Sequence, residues 1–299
     1  MRDKKIRVLI LGHGEMGQAM EFLLARNHSL RIWQRHPPAG AAPLDLSAAV
    51  PVGDVILFCL PATAHAEVAA RIAQHVRRDA LCLTIAKGLD AQGRLPFEVM
   101  TAALGANRVA VLYGPMISEE IRTGKPAFAE CGATRAGAQT RIAALFRGTA
   151  LHLERARDMA GLSWSAILKN VYAMAFGMAD ELGLGDNARG LLSVTALREL
   201  SRIVKVTGGK PATPFHLAGL GDLITTATSA GSHHRQLGRQ LARGMRDGLD
   251  GEGLHTLAVL RAHPRFDTNE FPLFRLIDDC VRDSGNTSAR LTGWLRAPF

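Results

Sequence analysis

Short apolar runs alternate with longer stretches of helical periodicity through the first half of this chain, and that rhythm leaves few architectures open. Runs rich in valine, isoleucine and leucine occupy residues 6–11, 30–33, 55–60, 81–85 and 109–112. They are almost continuously apolar, where a strand with one wet face would alternate. Each is therefore predicted to be covered by helices on both sides of a parallel sheet. Two further β-like segments lie at 126–129 and 151–153, and residues 35–53, rich in proline and alanine, are expected to hold little regular structure. From Met159 the pattern turns helical, with long stretches at 162–182 and 188–206, then shorter ones punctuated by Gly219, Gly221, Gly231, Gly251 and Gly253. A chain of 299 residues exceeds one ordinary core, so two domains are predicted: an α/β domain over residues 1–156 and an all-helical domain over 157–299.

The first run leads directly into Gly12-His13-Gly14-Glu15-Met16-Gly17, and a helical pattern follows over 18–26. Strand, glycine loop and helix in that order suit a dinucleotide. Gly12 permits a tight turn, Gly14 lets the backbone approach a pyrophosphate, and Gly17 allows close packing of a helix whose N-terminus faces the phosphates. The first domain is thus predicted to be a Rossmann-type dinucleotide-binding unit. Glu15 must turn its carboxylate away from the pyrophosphate. The second run ends in Trp33-Gln34-Arg35-His36, where a strictly NAD-dependent protein usually carries an acid for the ribose hydroxyls. NADP(H) is therefore expected to be accepted. Arg35 has two open readings, a partner for the 2′-phosphate or a solvated surface charge.

Composition narrows the partners. Hydrophobic residues make up 47% of the chain and charged residues 21%, the balance of a globular protein. A net charge of +9 would suit an anionic partner, but the arginines are scattered and aromatics amount to only 5%, so no nucleic-acid partner is expected. Cys59, Cys82, Cys131 and Cys280 lie far apart with no Cys-X-X-Cys pair, which predicts reduced thiols and no metal site. After the charged Arg2-Asp3-Lys4-Lys5 the apolar run stops at Gly12, too soon for a secretory signal, and no later run approaches spanning length. A cytoplasmic protein without membrane insertion is the expectation.

Three motifs stand where chemistry is expected: Ala86-Lys87-Gly88-Leu89 and Tyr113-Gly114-Pro115-Met116 at predicted strand ends, and Leu168-Lys169-Asn170-Val171 in the long helical run. Lys87 follows its strand immediately, a position suited to both a cofactor and an anionic substrate. Lys169 is the one formally charged residue between Asp158 and Asp180. Desolvation in such a run disfavours the ammonium and makes the amine a usable general acid or base. The alternative is a lysine whose stem packs on apolar neighbours while its amine reaches water, and spacing alone does not separate the two.

Taken together, these motifs resemble the NAD(P)-dependent glycerol-3-phosphate dehydrogenase family. The resemblance extends over the glycine loop, Lys87-Gly88-Leu89, Gly114-Pro115, Lys169-Asn170-Val171, Asn187-Ala188-Arg189, Gly219-Leu220-Gly221-Asp222-Leu223 and Glu252-Gly253, in the same order and at similar separations. It implies NAD(P)H as cofactor and reversible hydride transfer between its nicotinamide and the C2 carbonyl of dihydroxyacetone phosphate. Lys169 would transfer the proton with Asn170 beside it, Lys87, Gly114 and Asp222 would contact substrate, and Glu252 would contact the cofactor, as would Lys87. Asp222 suits hydrogen bonding to Lys169 or to a substrate hydroxyl; without the resemblance it reads as a turn-forming residue. A homodimer is also implied.

The chain departs from the family in places. The phosphate-gripping loop, usually Ser-Arg-Asn-Arg, reads Ser232-His233-His234-Arg235, so Ser232 and Arg235 match while two histidines replace the central pair. Histidine carries charge only at mildly acidic pH, so weaker and pH-dependent phosphate affinity is expected, with Arg235 or Lys87 compensating. Met116 stands where a threonine usually bonds the substrate. These changes keep two alternatives in view: a related dehydrogenase acting on another small hydroxy or keto acid, and a catalytically silent dinucleotide-binding protein.

Overall fold

The computed structural model describes residues 5–40, 42–245 and 247–296, the Ala136 side chain excepted; Arg2, Asp3 and Lys4 of the charged N-terminal stretch lie outside the described residues. The chain divides into two compact units between Met159 and Ala160, with Ala91–Gly93 belonging to the second. There the Arg265 guanidinium donates to the Gly93 carbonyl at 2.7 Å.

In the first unit a seven-stranded sheet is made of β1 (Arg7–Leu11), β2 (Ser29–Trp33), β3 (Val55–Phe58), β4 (Leu81–Thr84), β5 (Val109–Tyr113), β6 (Ala127–Ala133) and β7 (Leu151–Ala156). The strand order is β2-β1-β3-β4-β5-β6-β7. Its helices are α1 (Glu15–Leu24), α2 (Leu46–Ala49), α3 (His65–Ile72), α4 (Pro96–Leu104), α5 (Ser118–Arg122) and α6 (Ala136–Leu145). Every residue of β3, β4 and β5 is buried, which explains the continuous apolar runs. Alternate side chains supply two cores: Val8, Ile10, Leu57 and Leu83 pack with α1 on one face, and Leu9, Leu11, Ile56 and Phe58 pack with α3 and α4 on the other. Each such side chain is stabilised by about 1.5–3 kcal/mol relative to exposure.

The prediction of parallel strands holds from β2 through β5, and β6 pairs with β7 in the same sense, but β6 runs antiparallel to β5. A five-residue helix such as α5 spans only about 8 Å. That is about half the length of the strand it follows, so the chain re-enters the sheet at the end it left. A second difference concerns residues 35–53, expected to be irregular. Asp45 caps α2 by accepting from the Ser47 amide at 2.9 Å, and Leu46, Ala49 and Val50 are buried beneath it.

The second unit is helical: α7 (Met159–Glu181), α8 (Gly185–Val206), α9 (Asp222–Thr228), α10 (His233–Ala242), α11 (Glu252–Ala262), α12 (Pro272–Arg282) and α13 (Thr287–Arg296). All residues of α7 from Gly161 to Ala179 are buried, as befits a helix that is apolar on every side. Gly219 and Gly221 belong to a wide helical turn, Leu217–Gly221, which runs directly into α9. Two glycines let α7 and α10 touch backbone to backbone: a Cβ on Gly177 would meet the Arg235 carbonyl oxygen at 1.9 Å, and one on Gly238 the Met174 carbonyl oxygen at 1.9 Å. Glu199 of α8 is buried and holds α12 by accepting from the Leu273 and Phe274 amides at 2.7 and 2.9 Å, and from the Tyr172 hydroxyl at 2.9 Å. Among the described residues no helix is long and apolar enough to cross a membrane.

Candidate active site

In the first unit the sheet order reverses at β1, with β2 on one side and β3 on the other. Ligands of open α/β sheets bind beyond the carboxyl ends of strands at such a point. Gly12 follows β1 there with φ of +94°, and a Cβ on it would lie 2.3 Å from the Cys59 carbonyl oxygen. A Cβ on Gly17 would lie 2.2 Å from the Gly12 carbonyl oxygen, so the loop packs tightly on its own helix. Gly14, the N-cap of α1, has nothing within 4 Å of its Cβ position and no side-chain cap. Bare backbone at a helix N-terminus with open space before it fits the pyrophosphate of a dinucleotide. The Glu15 carboxylate accepts from the Ser118 hydroxyl at 3.2 Å, an orientation that resolves the conflict the sequence raised.

Arg35 is half exposed and donates to Glu67 of α3 at 2.5 Å. Lys87, just beyond β4, donates from Nζ to the Gly114 carbonyl at 3.3 Å. Gly114 has φ of +156°, and a Cβ there would meet the Phe128 carbonyl oxygen at 2.5 Å. Met116 is buried in the core that packs on α1, so the residue in place of the expected threonine serves packing. Burial pushes the Cys82 thiol up to about 12, which leaves it protonated and inert.

In the second unit Lys169 is 6% exposed and Asp222 3% exposed. The ammonium donates to Asp222 Oδ1 at 3.1 Å and to the Thr226 hydroxyl at 2.6 Å. The amine is therefore oriented inside the helical unit, and the reading in which it reaches bulk water is excluded. Thr226 was not singled out from sequence. It lies one turn after Asp222 on α9, so the two face the same way, a spacing that signals a pair only once the lysine is placed. Beside Lys169, Asn170 donates from Nδ2 to Glu252 Oε2 at 3.1 Å. Its Oδ1 is buried with no hydrogen-bond partner in the protein, which fits a donor on a ligand.

The loop with the two histidines starts α10. Ser232 is the N-cap, its hydroxyl accepting from the Arg235 amide at 3.3 Å. His233 Nε2 donates to the Asp250 carbonyl at 2.7 Å, and His234 Nε2 accepts from the Gly253 amide at 3.3 Å. Arg235 donates to Asp180 at 2.5 Å and to the Ser229 carbonyl at 3.4 Å, and Asp180 also pairs with Arg189. Burial acts to raise the Asp180 carboxyl, yet the Arg235 and Arg189 guanidinium groups hold it below the usual range. Arg239 approaches the same carboxylate, so one negative charge faces three guanidinium groups and the cluster at the start of α10 stays positive.

A mostly parallel sheet that reverses order beside a glycine-capped helix, followed by a helical unit built around a buried lysine and aspartate, is the plan of the Rossmann-type dinucleotide-dependent dehydrogenases. Models of the two parts of one such family match this chain. The N-terminal part of NAD-dependent glycerol-3-phosphate dehydrogenase matches residues 37–138, and the C-terminal part matches residues 158–290. The chain belongs to that family. It is 33% identical to the glycerol-3-phosphate dehydrogenase [NAD(P)+] of Deinococcus radiodurans, over 91% of this chain and 90% of that protein. Its identity to the Agrobacterium fabrum enzyme of the same name is 32%, over 85% and 86% of the two chains. The crystal structure of glycerol-3-phosphate dehydrogenase from Coxiella burnetii superposes with a TM-score of 0.85 at 27% identity, over 98% of this chain and 99% of that one.

Proposed function

We propose that this chain catalyses the reversible reduction of dihydroxyacetone phosphate to sn-glycerol 3-phosphate. The observation that carries the reading is the buried Lys169 ammonium held by Asp222 and Thr226. Bound NAD(P)H supplies the hydride. As the C2 carbonyl oxygen gains negative charge, Lys169 donates the proton and stabilises that charge. Asp222 and Thr226 accept hydrogen bonds from the amine and so fix where it stands; in the reverse direction they hold it as it takes the proton back. Asn170 Oδ1, buried and without a protein partner, accepts from a substrate hydroxyl.

The cofactor is assigned to the backbone at Gly12, Gly14 and Gly17, with Arg35 beside a 2′-phosphate when NADP(H) is used and Glu252 toward the nicotinamide end. Lys87, Gly114 and Ser232 are assigned to substrate. Arg235, oriented by the Asp180 carboxylate that it shares with Arg189 and Arg239, is assigned to the substrate as well, and Arg235 or Lys87 supplies the positive charge that compensates for the two histidines. A homodimer and a cytoplasmic location complete the proposal.

Purified protein would be mixed with NADH or NADPH and a panel of small ketones and keto acids, and nicotinamide absorbance followed at pH 6 and pH 8. Preferential turnover of dihydroxyacetone phosphate is expected. No turnover of it at either pH would sink the phosphate substrate, and preference for a keto acid would replace it.

A further inference from the structure

We propose that Thr84 and Tyr113, with His65 behind Thr84, are positioning residues that set where Lys87 stands. The inference rests on the substrate role proposed for Lys87. Both backbone polar groups of Ala86, the residue before it, are held by side chains. The Ala86 amide donates to the Thr84 hydroxyl at 3.1 Å, and the Ala86 carbonyl accepts from the Tyr113 hydroxyl at 2.9 Å. Thr84, Tyr113 and His65 are all fully buried.

The direction of the network follows from its ends. His65 Nδ1 lies 3.0 Å from the Pro61 carbonyl oxygen, which only accepts, so Nδ1 carries the proton. His65 Nε2, 2.8 Å from the Thr84 hydroxyl, then accepts from it. The Thr84 hydroxyl thereby donates to His65 and accepts from Ala86, with no freedom left to rotate. The imidazole itself packs against the Phe58 ring at 5.3 Å between centroids.

Residues 86–87 and 113–114 also exchange bonds in both directions. Tyr113 reaches from β5 to the Ala86 carbonyl, and Lys87 reaches back to the Gly114 carbonyl. A simple strand end would leave Ala86 to be held by the sheet or by water. Here Thr84 of β4 and Tyr113 of β5 hold the peptide groups on either side of the Ala86 Cα, and His65 of α3 fixes the Thr84 hydroxyl, so the residue they immobilise is the one before Lys87. Fixing that Cα matters because the long lysine side chain multiplies any displacement of its base, and misplacement of about 1 Å can cost up to about a hundredfold in rate.

The test compares T84V, T84S and Y113F in the wild-type and K87M backgrounds of the full-length protein. T84V and Y113F are each expected to raise KM for dihydroxyacetone phosphate about tenfold, with T84S restoring it and neither change adding to the defect of K87M. The proposal is overturned if both variants melt earlier yet keep the wild-type KM, or if their effects persist undiminished with K87M. If T84V does not fold, Y113F carries the same comparison. Amide hydrogen exchange at Ala86 and Lys87 reads the clamp without turnover: faster exchange in Y113F supports it and unchanged exchange overturns it. Absence of wild-type turnover would sink the proposed reaction alone, leaving the exchange experiment to decide on the clamp.

Discussion

The Lys169 ammonium lies 3.1 Å from the Asp222 carboxylate, both almost wholly removed from water although 53 residues separate them. An ion pair this deep is costly to bury and gives weak grounds for inferring stability. Its worth here lies in holding one amine in a defined direction. Replacing Lys169 with Met is expected to lower kcat by roughly a hundredfold to ten-thousandfold while NADPH still binds. Steady-state kinetics and a fluorescence titration of cofactor together check it; retained turnover would remove Lys169 from the reaction.

Arg35 and Glu67 form a pair on the surface of the first unit, each at least half exposed. Such pairs contribute only about 0–1 kcal/mol to stability, so Arg35→Ala should hardly move the melting temperature. Its effect is expected on cofactor choice: KM for NADPH rises about tenfold, the loss of one charge-assisted hydrogen bond, while KM for NADH stays put. Equal changes for both cofactors would mean that Arg35 does not meet the 2′-phosphate.

His65 is buried neutral, and burial pushes its imidazole down to about 4 from the ordinary 6.5. Between those values the unfolded chain binds a proton that the folded protein refuses. Its contribution to stability is complete above pH 6.5, declines as pH falls, and is exhausted near pH 4. The loss amounts to about 3 kcal/mol. Urea denaturation across this range should show the slope, and His65→Leu should flatten it. A slope that survives the substitution would assign it to other groups.

Glu199 caps α12 from within the helical unit, and burial raises its carboxyl above the usual range against the pull of the Leu273 and Phe274 amides. Glu199→Leu strands those two amides and the Tyr172 hydroxyl, each at a cost of about 1–3 kcal/mol. The variant is expected to lose at least about 3 kcal/mol in chemical denaturation. A loss below about 1 kcal/mol would show that water or a shifted helix satisfies the three donors.

Much of this architecture could be read in the chain itself. Strands β1, β3, β4 and β5 and helices α7 and α8 carry their signal in local periodicity, because a buried strand or helix needs apolar side chains at every position that meets a neighbour. The glycine loop was legible for a related reason. Gly12 and Gly17 stand where any side chain would strike backbone, a demand that only one residue type meets. The antiparallel turn of β6 was not legible, since an apolar run has the same pattern in either direction.

Lys169, Asn170 and Asp222 could be named from sequence, yet whether the amine was buried or snorkelled could not. Burial depends on what covers a helix, and α9 supplies the Asp222 carboxylate and the Thr226 hydroxyl from more than fifty residues away. Arg235 shows the converse: its charge was legible, but its engagement by Asp180 was not, because nothing in the spacing of the two residues signals an ion pair. The sequence by itself determined the elements, the glycine-lined loop and the kinds of side chain available for chemistry, all of which follow from short-range sterics and hydrophobic period. Only the tertiary structure decided which charges are paired, which hydroxyls are spent on backbone and which amine is kept from water, since those outcomes belong to contacts between segments far apart in the chain.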